Sequence, residues 1–127
     1  MIQIFAILFQ SYVFAAAIPV NEAKLLTATG LEKSYISKET GDSLESLLFY
    51  SNNGISCGLE EFYIDGYNIT EGTEAAPTKF EVISVVTGPT NYCAASEEFK
   101  CYTYFFLQND AWKTLGAECD YDSKFNE

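Results

Sequence analysis

The stretch Lys79–Cys93, KFEVISVVTGPTNYC, decides how this chain is built. Val and Ile dominate Phe80 to Thr87, the composition of a buried strand. Alternation puts Phe80, Val82, Ser84 and Val86 on one face, with Ile83 and Val85 on the other. Gly88-Pro89 then turns the chain, because proline cannot donate to a strand ladder. A second strand follows at Phe99–Leu107, FKCYTYFFL. One of its faces carries Cys101, Thr103, Phe105 and Leu107; the other carries Tyr102, Tyr104 and Phe106. Both are apolar or aromatic: either the strand lies centrally, covered on one side by the helix, or its tyrosine face is a contact surface. Gln108-Asn109-Asp110 turns the chain again, and Ala111 to Cys119 returns as a final strand.

Upstream the signals are mixed. Phe62, Tyr63 and Ile64 read as a strand running into the turn pair Asp65-Gly66. Asn68-Ile69-Thr70 is an N-glycosylation sequon, which marks a surface segment in a secreted protein. Glu71 to Thr78 is a polar loop. The helix signal lies earlier: Asp42 can cap, Glu45 completes a capping-box-like pair, and Leu44, Leu47 and Leu48 share a face. Asn52-Asn53-Gly54 stops that helix, which is expected over Ser43–Ser51. Leu31 to Ser37 is expected as an early strand, and Ile18 to Ala28 as an extended arm. The sum is an α+β domain, a short helix packed on a four- to five-stranded antiparallel sheet.

The chain opens MIQIFAILFQSYVFAAAIPV. Ile2 to Ala17 is mostly apolar, and Ala15-x-Ala17 fits a cleavage site, although no Lys or Arg precedes the apolar run. We expect residues 1–17 to be a signal peptide and 18–127 a single secreted domain with no membrane anchor. Four cysteines then remain, Cys57, Cys93, Cys101 and Cys119. An even count in a secreted chain implies two disulfides. Cys101–Cys119 would bracket the last hairpin and leave Cys57–Cys93; a Cys93–Cys101 bridge is the rival. Without a C-x-x-C pair or a histidine, zinc is not expected.

Charge narrows the function. The net charge is −11, with no histidine and only lysine as the basic residue. Nucleic-acid binding needs a basic surface, so it is not expected. A chain without histidine loses the commonest general base, and no Ser-His or Cys-His pair can be assembled. Glu60-Glu61, Glu97-Glu98 and Asp120-x-Asp122 read as solvated carboxylates rather than an acid–base site or a calcium loop. The expectation is a non-enzymatic, monomeric extracellular binding protein with no cofactor or metal.

The residues from Asp42 to Cys119 resemble those of cystatins, the secreted inhibitors of papain-like cysteine proteases. That family's first inhibitory loop has the pattern Q-x-V-x-G; here Ser84-Val85-Val86-Thr87-Gly88 is followed by Asn91-Tyr92. Its second loop carries Pro-Trp between two cysteines; here Ala111-Trp112 lies between Cys101 and Cys119, and Trp112 is the only tryptophan. Ser84 stands in place of the glutamine and Ala111 in place of the proline. The resemblance implies a helix cradled by an antiparallel sheet. It also implies a wedge whose two hairpin tips and N-terminal arm enter a protease cleft and cover its catalytic cysteine. Ser84, Val85, Val86, Thr87 and Gly88 would form the first tip, and Trp112 would anchor the second. Two other readings stay open. One is a carrier of a small apolar ligand in a cup lined by Phe and Tyr. The other is a secreted effector, venom or salivary protein that binds a host protein through an aromatic patch.

Overall fold

The computed structural model describes residues 17–52, 55–89 and 96–120. A short strand β1 (Ile18–Val20) leads into two helices, α1 (Glu22–Thr29) and α2 (Lys33–Leu48). A small hairpin follows, β2 (Tyr50–Asn52) with β3 (Ile55–Cys57). Four long strands complete the chain: β4 (Glu61–Gly72), β5 (Pro77–Pro89), β6 (Ser96–Gln108) and β7 (Ala111–Asp120). They form a meander, and β1 joins its β4 edge, so the five-stranded antiparallel sheet has the order β1-β4-β5-β6-β7. The expected α+β architecture stands, and two helices rather than one short helix pack on the sheet.

The first half differs most from expectation. Ile18–Ala28, expected as an extended arm, holds β1 and most of helix α1. Asn21 caps it by accepting the Lys24 amide at 2.8 Å, and Gly30 closes it in the left-handed region with φ of 74°. Asn before Glu22 and Gly after Thr29 are ordinary start and stop signals, set around a segment that is only weakly apolar. Leu31–Ser37 is not a strand either. From Lys33 it belongs to α2, whose buried residues Ile36, Thr40, Leu44 and Leu48 recur every four positions. That stripe is continuous only if Gly41 is accepted inside the helix. A Cβ there would stand 3.3 Å from the Phe62 ring, so the glycine lets β4 pack closely. Asp42 is therefore an interior helical residue, paired with Lys38 one turn earlier at 2.9 Å, and not a cap. The helix ends at Leu48, before Asn52; Asn53 and Gly54 lie outside the described residues.

In the sheet, the alternation is as expected. Phe80, Val82, Ser84 and Val86 on β5, with Phe99, Cys101, Thr103 and Phe105 on β6, are all buried beneath the helices. Asp65-Gly66 is a correction: the register shift between Ile64 and Gly66 makes it a bulge within β4, not a hairpin turn. The bulge changes which parity points inward, from Phe62 and Ile64 to Tyr67 and Ile69. The turn sits in the segment expected as a polar loop, between Gly72 and Pro77.

The core has two halves. Leu25, Ile36, Tyr67, Ile69, Phe80, Val82 and Phe105 form one; Leu44, Leu48, Val86, Phe99 and Cys101 form the other. Burying each large side chain contributes about 1.5–3 kcal/mol. Cys101 and Cys119 face each other across β6 and β7 and are joined by a disulfide. A bridge with a sequence separation of 18 contributes about 3 kcal/mol. Cys57 is also disulfide-bonded, and Cys93 lies outside the described residues.

Candidate functional site

Strand register decides which parts of the chain can act together. Ile18 pairs with Ile69, so β1 begins near the far end of β4. The β4–β5 turn closes at Gly72–Pro77, and the β6–β7 turn closes at Gln108–Ala111. Lys79 pairs with Phe106, which puts both turns and the start of β1 at one end of the sheet.

Both turns there are built by local sequence. Gly72 has φ of 95°, and a Cβ on it would lie 2.7 Å from the Ala76 carbonyl oxygen and from the Thr78 nitrogen. Only glycine fits. The Thr73 amide donates to the Ala76 carbonyl at 3.3 Å, and the Ala76 amide donates to Thr73 Oγ1 at 3.1 Å. Thr73, Glu74, Ala75 and Ala76 are left exposed at the tip. Two ion pairs frame it, Lys24–Glu74 at 3.7 Å and Lys79–Glu71 at 3.5 Å. In the second turn Asn109 and Asp110 have φ of 52° and 65°. That is the pairing for a two-residue hairpin whose twist matches its strands.

The residues singled out from the sequence are placed differently. Ser84–Gly88 is not a tip but the interior of β5, which runs on to Pro89. Ser84 and Val86 are wholly buried, and Gly88 faces the end of α2, where a Cβ would contact Leu48 at 3.4 Å. Val85 and Thr87 lie on the opposite face, half-buried. Gly88 pairs with Glu97, whereas Trp112 pairs with Leu107, so the two stand at opposite ends of the sheet. The valine-glycine pattern was misleading because a strand's interior and its end carry the same residue types; only pairing tells them apart.

Trp112 does lie beside the second turn, but it is half-buried. Its ring packs on Phe80 with centroids 5.1 Å apart, and its carbonyl accepts the Tyr35 hydroxyl at 3.1 Å. It therefore braces the hairpin base against α2. Phe80 stacks in turn on Phe105 at 4.8 Å.

Among the described residues, no helix lies over the other face of the sheet. Ile83, Val85, Tyr102, Tyr104 and Phe106 lie there half-buried, and Tyr63 is 59% exposed. The Tyr104 hydroxyl donates to Glu118 at 3.1 Å. Partial burial, and secondarily that carboxylate, push the Tyr104 phenol up to about 12. Burial also pushes Tyr67 up to about 12, with Glu22 adding to the effect. Asn68 projects onto the same outer face, between the buried Tyr67 and Ile69, and its Nδ2 donates to Glu81 at 2.9 Å.

No family model, curated protein or solved structure matches this chain.

Proposed function

We propose that this chain is a secreted, non-enzymatic binding protein that engages an extracellular protein, a papain-like cysteine protease, with the two-hairpin end of its sheet. One observation carries the reading: the start of β1 and the β4–β5 and β6–β7 turns converge at one end. The helices stand between β1 and β4 in the chain and pack on one sheet face, the arrangement the cystatin resemblance implies. The Cys101–Cys119 bridge brackets the hairpin that bears Trp112, as that resemblance also implies. On this reading Thr73–Ala76 and Asn109-Asp110 are the tips, and Ser84–Gly88 takes no part in contact. The signal peptide ends after Ala17, and the second disulfide is Cys57–Cys93.

The test is a titration of papain-like proteases with the secreted chain. Inhibition is expected, and it should weaken at least tenfold, about 1.4 kcal/mol, in Ala75→Arg and Ala111→Arg. Both positions are exposed at the docking end. Thr87→Lys, at the opposite end, should leave inhibition unchanged. Absence of inhibition at micromolar concentration, or equal effects at both ends, overturns the reading.

A further inference from the structure

Asn68 stands on the face of the sheet opposite α1 and α2, directly across β5 from the tyrosines of β6. It pairs with Glu81, and Glu81 pairs with Tyr104, so the three residues form a row across β4, β5 and β6. Ile83 and Tyr102 form the neighbouring row, opposite Gly66. Gly66 has no side chain, and a Cβ there would meet nothing within 4 Å among the described residues, which leaves room beside Asn68. Two strand spacings separate Asn68 from Tyr104, about 10 Å. The first two sugars of an N-glycan are long enough to cross Glu81 and reach the ring. Sugar rings present C–H bonds that pack well on the electron-rich face of an aromatic ring.

We infer that Asn68 carries an N-linked glycan whose inner sugars lie over Ile83, Tyr102 and Tyr104, so that carbohydrate, and not a protein partner, covers this face. The inference rests on the secretion part of the proposed function. Sugar transfer forms a bond between Asn68 Nδ2 and the anomeric carbon of a lipid-linked pyrophosphoryl oligosaccharide. The carbon–oxygen bond to pyrophosphate breaks, and one Nδ2 proton passes to a base of the transferase. The remaining Nδ2 hydrogen can still donate to Glu81, so the observed hydrogen bond survives the modification. Thr70, which completes the sequon, sits where the β4–β5 register shifts between Ile69 and Glu71. The docking end lies beyond Gly72, and the glycan runs across the strands rather than towards it.

The full chain is expressed in eukaryotic secretory cells beside Asn68→Gln and Thr70→Ala. The second variant keeps the asparagine and removes only the sequon. The secreted wild type should show a mass increment that peptide-N-glycosidase removes, and neither variant should show it. Hydroxyl-radical footprinting should then label Tyr102 and Tyr104 severalfold less in the glycosylated chain than in Thr70→Ala, with Tyr63 labelled equally in both. Tyr63 serves as control because it pairs with Val85, four residues along β5 from Glu81. Secretion without the mass increment overturns this inference and leaves the proposed function standing. Equal labelling of Tyr102 and Tyr104 overturns the covering role. Retention of the chain inside the cell overturns the secretion reading and the inference with it.

Discussion

Three buried hydroxyls lie along the seam between the two halves of the core, and removing them should stabilise the protein. Thr40, Ser84 and Thr103 are each 0% exposed, and among the described residues their side-chain oxygens have no hydrogen-bond partner. The seam is visible on every element: Thr40 separates Ile36 from Leu44, Ser84 separates Val82 from Val86, and Thr103 separates Phe105 from Cys101. A buried hydroxyl without a partner costs about 1–3 kcal/mol. Thr103→Val replaces it with a methyl group of the same shape, and so should raise stability by about 1 kcal/mol after small repacking losses. Thr40→Val should do likewise, since threonine and valine have similar helix propensities. Ser84→Ala should give less, because alanine adds no methyl group to the site. Ser84 and Thr103 lie two rungs apart on the same face of the β5–β6 ladder, so their double variant should fall short of the sum. In a domain of this size 1 kcal/mol corresponds to about 4–8 °C in Tm, and urea titration at unchanged m-value checks the same quantity. A loss of stability in both valine variants refutes the reasoning. It would mean that the hydroxyls form a satisfied polar network, for instance through an enclosed water.

Two further outcomes test the geometry. Gly72→Ala should destabilise the chain by about 1–3 kcal/mol, because its Cβ would lie 2.7 Å from backbone atoms of the first turn. It should also weaken protease inhibition more than that stability loss explains. If Gly72→Ala matches wild type in both urea midpoint and inhibition, the tight first tip is wrong. At high pH, Tyr67 binds its proton more tightly in the folded state than in the unfolded chain, where the phenol titrates near the usual 10. Its contribution is present below pH 10 and is lost as pH rises towards about 12. About 1.4 kcal/mol per pH unit should disappear in that window. Tyr67→Phe should flatten the decline, and an unchanged slope refutes the assignment.

Much of the sheet was legible from residue types alone. Period-two alternation in Phe80–Thr87 and Phe99–Leu107 identifies two strands and sorts their side chains by face, because one face must be drier than the other. Asn109-Asp110 suits a tight turn since both residues tolerate positive φ. The helices were less legible. Gly41 is a poor helix former in the middle of α2, and its role becomes evident only from the Phe62 ring packed against it. Asp65-Gly66 has the composition of a hairpin turn, yet a bulge uses the same glycine freedom and leaves the strand running.

The sequence by itself determined the class of fold, the strand faces and a surface without histidine or arginine, since these follow from local periodicity and composition. Only the tertiary structure decided which segments share an end of the sheet. That depends on register, and register is settled by which apolar faces meet across strands far apart in the chain. Hence Ser84–Gly88, which reads like a binding loop, is the interior of β5, with Ser84, Val86 and Gly88 buried on the helix side. The polar turn Thr73–Ala76, which reads like a plain connection, stands with Asn109-Asp110 at one end of the sheet.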